Sequence, residues 1–511
     1  MKNDRLEDET SSHGDGSKLK TRDAKLSIPE KFCIILGTVF VVILMVFYRH
    51  PEIYSTPPDD VNALNVLPRL TDGWAEVNQT LNYASLNRDK SAGAYKTDYS
   101  GLTLSSIGVG SVKGSDGEDE DHSITAVVYD SIMKGLNVID TSINSRGMRS
   151  EKSIGKALKS LFDSGKVGRQ SLFISTKAGF IPADSSKSIS PTRTVAEWST
   201  TLAPFEEFPV MEIVDGKHCI APACLKSSLS ASRANLGIST IDVFYLDNAA
   251  EMQMPSIGRT AFMERLKAAF IFLETQRAEK TIKFYGMATT TCFTAMPDSL
   301  HYLSLNEVAV LAESVGGVNH GFRYIQLPYT VAAPKSYFKK ASSSDILMHT
   351  AMNKINVMSS IGVGTYAQRT QAMAISTFLS CIRDSKFADV LSAKMDAISS
   401  AHASKKKKKK RPQLSAASKA VLIARSIPGI LSAMVEINTI QNVHEYATAL
   451  SLPAIPLYIV ESCMTVMITG STPPLTDEQV SQASLLTSAL HTNVRVKSHT
   501  KKKRRGVKGG H

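Results

Sequence analysis

Residues 137–158, with the sequence NVIDTSINSRGMRSEKSIGKAL, decide the fold of this 511-residue chain. Two apolar residues run into Asp140, a pattern typical of a short buried strand that ends on an acid. From Ser150 the pattern becomes helical, because Ser150 can cap a helix and Glu151 would lie in its first turn. Apolar side chains then recur at helical spacing, at Ile154, Ala157, Leu158 and Leu161. A strand followed directly by a helix is the unit from which α/β folds are built.

Apolar strand patterns alternate with helical patterns from residue 101 onward. Strands are predicted at residues 105–110, 137–142, 172–177, 241–248, 283–288, 324–329, 356–361 and 431–437. Amphipathic helices are predicted between them, for example at 123–134 and 264–278. Eight strand–helix units favour an α/β fold of the (β/α)8 TIM-barrel type over an open doubly wound sheet, and no Gly-x-Gly-x-x-Gly follows the first strand. We therefore predict a barrel over residues 101–470.

Three segments precede the predicted barrel. Residues 1–31 are polar and of mixed charge, which predicts disorder. Residues 32–48, FCIILGTVFVVILMVFY, are an uncharged apolar run of 17 residues, which as a helix would reach about 25 Å. We predict a single transmembrane helix there, in preference to a buried core helix or a cleaved signal peptide. The polar, Pro-rich residues 49–100 are predicted to form a tether.

The charges around residues 32–48 predict the orientation of the helix in a membrane. Basic residues precede it at Lys18, Lys20, Arg22, Lys25 and Lys31, whereas only Arg49 follows closely. The positive-inside rule then places the N-terminus on the cytosolic side and the barrel across the membrane, and it leaves open which membrane this is. Asn78 begins an Asn-Gln-Thr sequon, which this topology would allow to be glycosylated.

Two basic runs explain the formal net charge of +12. The run from Lys405 to Arg411 is a predicted insertion in the barrel, and the run from Lys501 to Lys508 is the tail of a C-terminal extension over residues 471–511. Without these 13 cations the chain has 46 basic residues against 47 acidic ones. We predict that the two runs either contact an acidic protein, an anionic lipid or RNA, or are solvated low-complexity segments.

The six cysteines are few and scattered, so reduced or unpaired thiols are predicted. Cys219 and Cys224 lie near His218, which raises the alternatives of a metal ligand or a thiol nucleophile. No second pair completes a zinc site, and packing is the preferred interpretation. We predict no metal.

The opening stretch resembles the second strand and helix of the aldo-keto reductase superfamily, which carry Asp-Thr-Ala-x-x-Tyr-Gly, then Ser-Glu, then Gly-x-Ala-Leu. Residues that match this pattern are Asp140, Thr141, Ser150, Glu151, Gly155, Ala157 and Leu158. Ser145 takes the position of the family's catalytic tyrosine, and Arg146 that of the following glycine. Other segments resemble further family strands and a large-loop branch, over roughly residues 101–450: 173–177, 218–222, 230–237, 241–248, 284–289, 325–329 and 425–430.

The resemblance implies a catalytic tetrad at the C-terminal ends of the strands. Asp140 and Lys177 fall on the family's aspartate and lysine, whereas Ser145 and Asp247 replace its tyrosine and histidine. A serine hydroxyl is a far weaker acid than a phenol of pKa about 10, and an ionised Asp247 would repel a developing alkoxide. A Ser145–Lys177 nucleophile pair is disfavoured, because no oxyanion hole can be inferred.

NADPH is the cofactor that the resemblance implies, but the predicted cofactor site is incomplete. Gln326 matches the residue that contacts the nicotinamide amide, whereas Glu436 and Tyr446 stand where the family holds the adenosine phosphate. Five acids after the first strand (Asp116, Glu118, Asp119, Glu120 and Asp121) would oppose a phosphate-bearing ligand, unless that loop points into solvent.

Two functions therefore remain open at the level of the sequence. The first is a membrane-anchored, catalytically degenerate scaffold or binding subunit. The alternative is an NAD(P)H-dependent oxidoreductase that reduces a carbonyl substrate with altered acid chemistry, through Asp247 or a repositioned group.

Overall fold

The computed structural model describes residues 70–87, 93–110, 117–182, 210–328, 346–360, 415–456 and 459–460. The predicted disordered segment, transmembrane run, basic runs and C-terminal extension lie outside these residues. Within them, no helix is both long and apolar enough to cross a membrane.

Ten strands are seen in the described part of the chain: β1 Tyr95–Thr97, β2 Thr103–Ser105, β3 Ile107–Gly110, β4 Val138–Asp140, β5 Phe173–Ala178, β6 Ile241–Asp247, β7 Ile282–Ala288, β8 Phe322–Pro328, β9 Asn356–Ser360 and β10 Ile430–Glu436. The strands β3 to β10 close into one barrel in chain order, and β10 pairs with β3. All of these pairings are parallel. The predicted (β/α)8 barrel is confirmed.

Helices alternate with the barrel strands. They are α1 Val77–Leu86, α2 Glu118–Met133, α3 Arg149–Asp163, α4 Pro222–Leu236, α5 Ala249–Ile257, α6 Arg259–Ala278, α7 Leu305–Gly316, α8 Ile346–Met352, α9 Ala416–Ser426 and α10 Ile440–Ser451. Their apolar faces form the main core with the outward side chains of the strands, such as Ile139, Ile174 and Phe244. This is the arrangement that a buried parallel sheet requires.

The opening stretch folds as β4 and α3, and two of its residues lock α3 in place. The buried Glu151 carboxylate accepts hydrogen bonds from Thr176 Oγ1 at 2.7 Å and Asn235 Nδ2 at 2.9 Å. Gly155 lies so close to α4 that a Cβ there would be 2.2 Å from Asn235 O. The predicted cap is wrong: α3 begins at Arg149, and Ser150 is buried in its first turn.

The N-terminal end of the barrel is closed by the antiparallel hairpin β1–β2. Leu102 and Leu104 of this hairpin pack with the inward-facing Val138 and Phe173. Helix α1 contacts β2, and its Thr80 Oγ1 accepts a hydrogen bond from Thr103 N at 3.1 Å. The tether predicted over residues 49–100 is therefore too long, because its last part packs on the barrel. The polar composition of this part gave no sign of that packing.

Cys219 and Cys224 form a disulfide, which contradicts the prediction of reduced or unpaired thiols. Cys219 precedes α4, and Cys224 lies in the first turn of that helix. The helical turn brings the two Cα atoms to 6.2 Å, within the usual range for a disulfide. The remaining described cysteine, Cys292, is free and buried.

Candidate active site

The C-terminal ends of the barrel strands bring four of the five predicted site residues to the same region. Asp140 ends β4, Lys177 lies near the end of β5, Asp247 ends β6, and Gln326 lies near the end of β8. Side chains alternate along a strand, and paired residues in a parallel register point the same way. We call this region the barrel mouth.

Asp140 and Lys177 form a buried ion pair in the barrel mouth. Lys177 Nζ lies 2.5 Å from Asp140 Oδ2, with side-chain exposures of 8% and 4%. The ammonium also donates to Thr141 O at 2.8 Å. Asp140 accepts two further hydrogen bonds, from Gln326 Nε2 at 2.9 Å and from Ser175 Oγ at 2.7 Å. The charges of both groups are therefore balanced within the protein.

Ser145 belongs to a separate contact. Its Oγ forms a hydrogen bond of 2.6 Å with Ser142 Oγ, and its N–H donates to Ser142 O at 3.0 Å. The chain then passes through three consecutive residues with left-handed backbone, at φ values of 50°, 55° and 69° for Arg146, Gly147 and Met148. Asp140 thus bonds both Lys177 and Gln326, whereas the side chain of Ser145 bonds Ser142 within its own turn.

The left-handed turn is tied to the acidic segment after β3. Arg146 and Arg149 reach Asp121 at 2.9 Å and 2.6 Å. Burial alone would raise the pKa of Asp121, but hydrogen bonds and charge from the two arginines lower it below its ordinary value. Glu118 to Asp121 form the first turn of α2, where acidic side chains favour the helix dipole. These described acids are therefore not a loop that projects into solvent.

Asp247 is a half-buried carboxyl whose pKa is shifted upward. Burial raises the pKa of Asp247 to about 6; Asp140 and Glu251 add to the rise, and Lys177 opposes it. Asn248 Nδ2 lies 3.2 Å from Asp247 Oδ1. A carboxyl with this pKa is mostly ionised at pH 7 and half protonated near pH 6.

His218 supports the backbone of Asp247. Its Nε2 lies 2.8 Å from Asp247 O, and its Nδ1 lies 3.2 Å from Gln253 Nε2. Burial lowers the pKa of His218 to about 4, so the ring is neutral and both nitrogens are engaged. Because Cys219 and Cys224 form a disulfide, neither has a free thiol that could bind a metal or act as a nucleophile. The described residues contain no group of three or more His, Cys, Asp or Glu that could hold a metal.

Tyr245 is the phenol that the structure brings near Lys177. The Lys177 ammonium lies 5.8 Å from the ring centroid. The hydroxyl is buried, with no hydrogen-bond partner among the residues that the structure describes. Burial and the charge of Asp140 raise the pKa of Tyr245 well above its ordinary value of 10. Tyr245 is therefore a poorer acid than an ordinary tyrosine and does not replace the missing one.

The described residues fit only one end of a nicotinamide dinucleotide. Gln326 lies in the barrel mouth, where a nicotinamide amide could meet it. Tyr446 is buried in the core, and burial raises its pKa to about 12. Glu436 ends β10 with a half-buried carboxylate, which would repel a phosphate. The phosphate end of NADPH is therefore not matched by these residues.

Comparison with known proteins finds a family match over the first part of this barrel. The model of the aldo/keto reductase family matches residues 106–284. Residues 106–284 are therefore an aldo/keto reductase family domain, and the resemblance inferred from the sequence is confirmed. A comparison with curated proteins gives no match.

Solved structures of aldo-keto reductases are similar to the chain at low identity. An aldo/keto reductase from Klebsiella pneumoniae, in complex with NADP and acetate, is 16% identical with a TM-score of 0.41, over 77% of this chain and 95% of its own. An aldo-keto reductase from Bacillus halodurans, in its holo form, is 11% identical with a TM-score of 0.44, over 75% and 98%. A thermostable aldo-keto reductase in complex with the inhibitor epalrestat is 14% identical with a TM-score of 0.43, over 73% and 99%.

Two residues that form hydrogen bonds in and around the mouth, Ser175 and Glu251, were not identified from the sequence. Ser175, which donates to Asp140, lies two residues before Lys177, so the alternation of a strand could have placed both on the inner face. Glu251 accepts hydrogen bonds from the N–H groups of Thr291 and Cys292, each at 2.8 Å. No sequence signal connects Glu251 with this distant loop.

Proposed function

We propose that this chain is a membrane-anchored member of the aldo/keto reductase group whose barrel is catalytically degenerate and serves as a scaffold or binding subunit. The observation that carries the proposal is that the side chains at the two key positions have different hydrogen-bond partners. Lys177 is paired with Asp140 and Thr141 O, while Ser145 is bonded to Ser142. The lysine therefore has no phenol to activate, and the group in the tyrosine's place is a weak acid in another network.

The cost of these changes to catalysis can be estimated. General acid catalysis contributes about 10²- to 10⁴-fold to a rate. An alcohol has too high a pKa to supply it near neutral pH, and Asp247 is mostly ionised there. An anionic carboxylate next to Asp140 disfavours the alkoxide that forms during carbonyl reduction. Both effects act in the same direction, against reduction.

The anchor and the partners of this subunit form part of the proposal. Residues 32–48 would span the membrane with the N-terminus cytosolic, which places the barrel across the membrane. The Cys219–Cys224 disulfide supports that placement, because disulfides persist in oxidising compartments. The runs from Lys405 to Arg411 and from Lys501 to Lys508 would bind an acidic protein, an anionic lipid or RNA, since they are the main source of excess positive charge.

A titration of NADPH into the purified full-length chain tests the proposal. Nucleotide fluorescence and the melting temperature would be followed up to about 1 mM, the upper end of typical KM values. We expect no saturable change. A Kd near 1 µM would stabilise the fold by about 4 kcal/mol at 1 mM, and such a shift would contradict the proposal.

The second candidate is an NAD(P)H-dependent oxidoreductase that uses Asp247 as its acid. The observation that favours it is the pKa of about 6, which lets Asp247 be neutral in part of the molecules near neutral pH. A bound nicotinamide cofactor would supply the hydride. Asp247 would then protonate the carbonyl oxygen. Activity towards a carbonyl panel should in that case rise as the pH falls through 6, and Asp247→Asn should abolish this rise; a flat profile argues against the candidate.

A further inference from the structure

A cavity lies at the N-terminal end of the barrel strands, the end opposite the mouth. Its volume is about 320 Å³, which is within the range of small-molecule sites. Trp74, just before α1, forms part of its wall. The rest is formed by the end of α6 and the start of β7, including Ile282. We call it the Trp74 cavity.

The charged side chains around the Trp74 cavity are mostly basic. Arg277, Lys280 and Lys283 line it together with a single acid, Glu274. This acid is already engaged: its Oε2 pairs with Arg277, and its Oε1 accepts from Tyr285 and from a backbone N–H. Glu274 therefore neutralises Arg277, and no second acid lines the cavity beside the two lysines. Burial lowers the pKa of Lys283, while the charges of Asp242, Asp98 and Glu76 outside the lining oppose that shift.

Each lysine can contribute differently to a bound anion. Lys283 is half-buried, with Nζ fixed at 2.8 Å from Ala75 O, so its ammonium is already positioned. Lys280 is exposed, and its ammonium pairs with none of the side chains that the structure describes. The half-buried Trp74 indole N–H likewise has no hydrogen-bond partner in the described part of the chain. A ring and two cations thus face one space.

The backbone of Lys280 is unusual for a lysine. Its φ is +60°, in the left-handed region that follows the end of α6. Glycine is the usual residue at such a position, because it has no Cβ to clash. Glycine is therefore the replacement that removes the side chain of Lys280 without straining its backbone.

We propose that the Trp74 cavity binds a small anion carried on a flat ring, such as a nucleoside monophosphate or an aromatic carboxylate. The ring stacks against Trp74, and the anionic group lies between Lys280 and Lys283. This binding does not depend on the barrel mouth or on catalysis.

Tryptophan fluorescence provides a direct test, because the chain has only two tryptophans. In full-length Trp198→Phe, Trp74 is the single reporter. AMP and benzoate would be titrated to distinguish a phosphate from a carboxylate, with adenosine and inorganic phosphate as the separate halves. We expect saturable quenching by AMP or benzoate below about 1 mM, and binding of either half at least about tenfold weaker. If no probe saturates, or if phosphate alone binds as tightly as AMP, the proposal is wrong.

A glycine substitution separates binding from a structural role. Lys280→Gly removes the ammonium and relieves the left-handed backbone, so the melting temperature should stay equal or rise while affinity falls at least about tenfold. Lys354→Gly is the matched control: Lys354 is also exposed, has φ of +51° after α8, and lies outside the cavity lining. It should leave affinity unchanged. Equal affinity in Lys280→Gly and the parent would overturn the proposal.

Discussion

Replacing Lys177 by methionine should destabilise the fold far more than breaking a surface ion pair of the same length. Lys177 and Asp140 are 2.5 Å apart with side chains almost fully buried. Lys177→Met leaves the Asp140 carboxylate buried, with Ser175 and Gln326 as its remaining side-chain donors among the described residues. Removal of one partner of a buried pair typically costs about 3–5 kcal/mol of unfolding free energy. If the barrel is the non-catalytic scaffold proposed above, this structural contribution is the role that the pair keeps.

A double-mutant cycle measured by guanidinium unfolding gives the coupling free energy between Lys177 and Asp140. Lys177→Met with Asp140→Asn should recover most of the loss, because no uncompensated charge remains. The control is Lys159→Met, which breaks a 2.6 Å pair with Asp163 whose side chains are 75% and 63% exposed. It should cost less than about 1 kcal/mol. If Lys177→Met costs no more than Lys159→Met, burial does not govern the strength of this pair and the argument fails.

Three further predictions concern the mouth and the disulfide. The raised pKa of Asp247 contributes stability that is complete below pH 4 and is lost as the pH rises through 6. Asp247→Asn should therefore have an unfolding free energy about 3 kcal/mol above that of the parent at pH values over 7, and equal to it near pH 4. Urea unfolding at both pH values measures this difference. Ser145→Tyr with Asp247→His should still give no NADPH-dependent reduction in an absorbance assay, because the described residues do not match the phosphate end of the cofactor; a rate about 10²-fold above that of the parent would contradict this. Cys219→Ser with Cys224→Ser should lower the unfolding free energy by about 2 kcal/mol and make it insensitive to dithiothreitol.

The barrel strands could be predicted because their signal is local. Each reads as a short apolar run with a helix after it, and the predicted strand at 283–288 differs from β7 by one residue. The site residues were predicted from the family resemblance instead. Asp140, Lys177 and Asp247 each lie at or near a strand end, and a closed parallel barrel brings such ends together.

The features that the sequence did not predict depend on contacts between distant residues. Arg146 and Asp121 are neighbours only because β3 and β4 pair and the turn after β4 is left-handed. The spacing of Cys219 and Cys224 is compatible with free thiols, and only the helical turn brings them together. Residues 95–97 form β1 because β2 provides a partner; alone, this stretch has too few apolar residues to indicate a strand.

The pairing of β10 with β3 has a consequence for how the chain reaches its native state. Ala433 is in register with Ile107, so the ring shuts only when segments more than 300 residues apart in sequence meet. Contacts of such separation slow folding, because the entropy of closing the intervening chain is lost first. A nascent chain that has not yet delivered β10 exposes the unpaired edges of β3 and β9, which invite aggregation. A premature stop codon before residue 430 would make this exposure permanent.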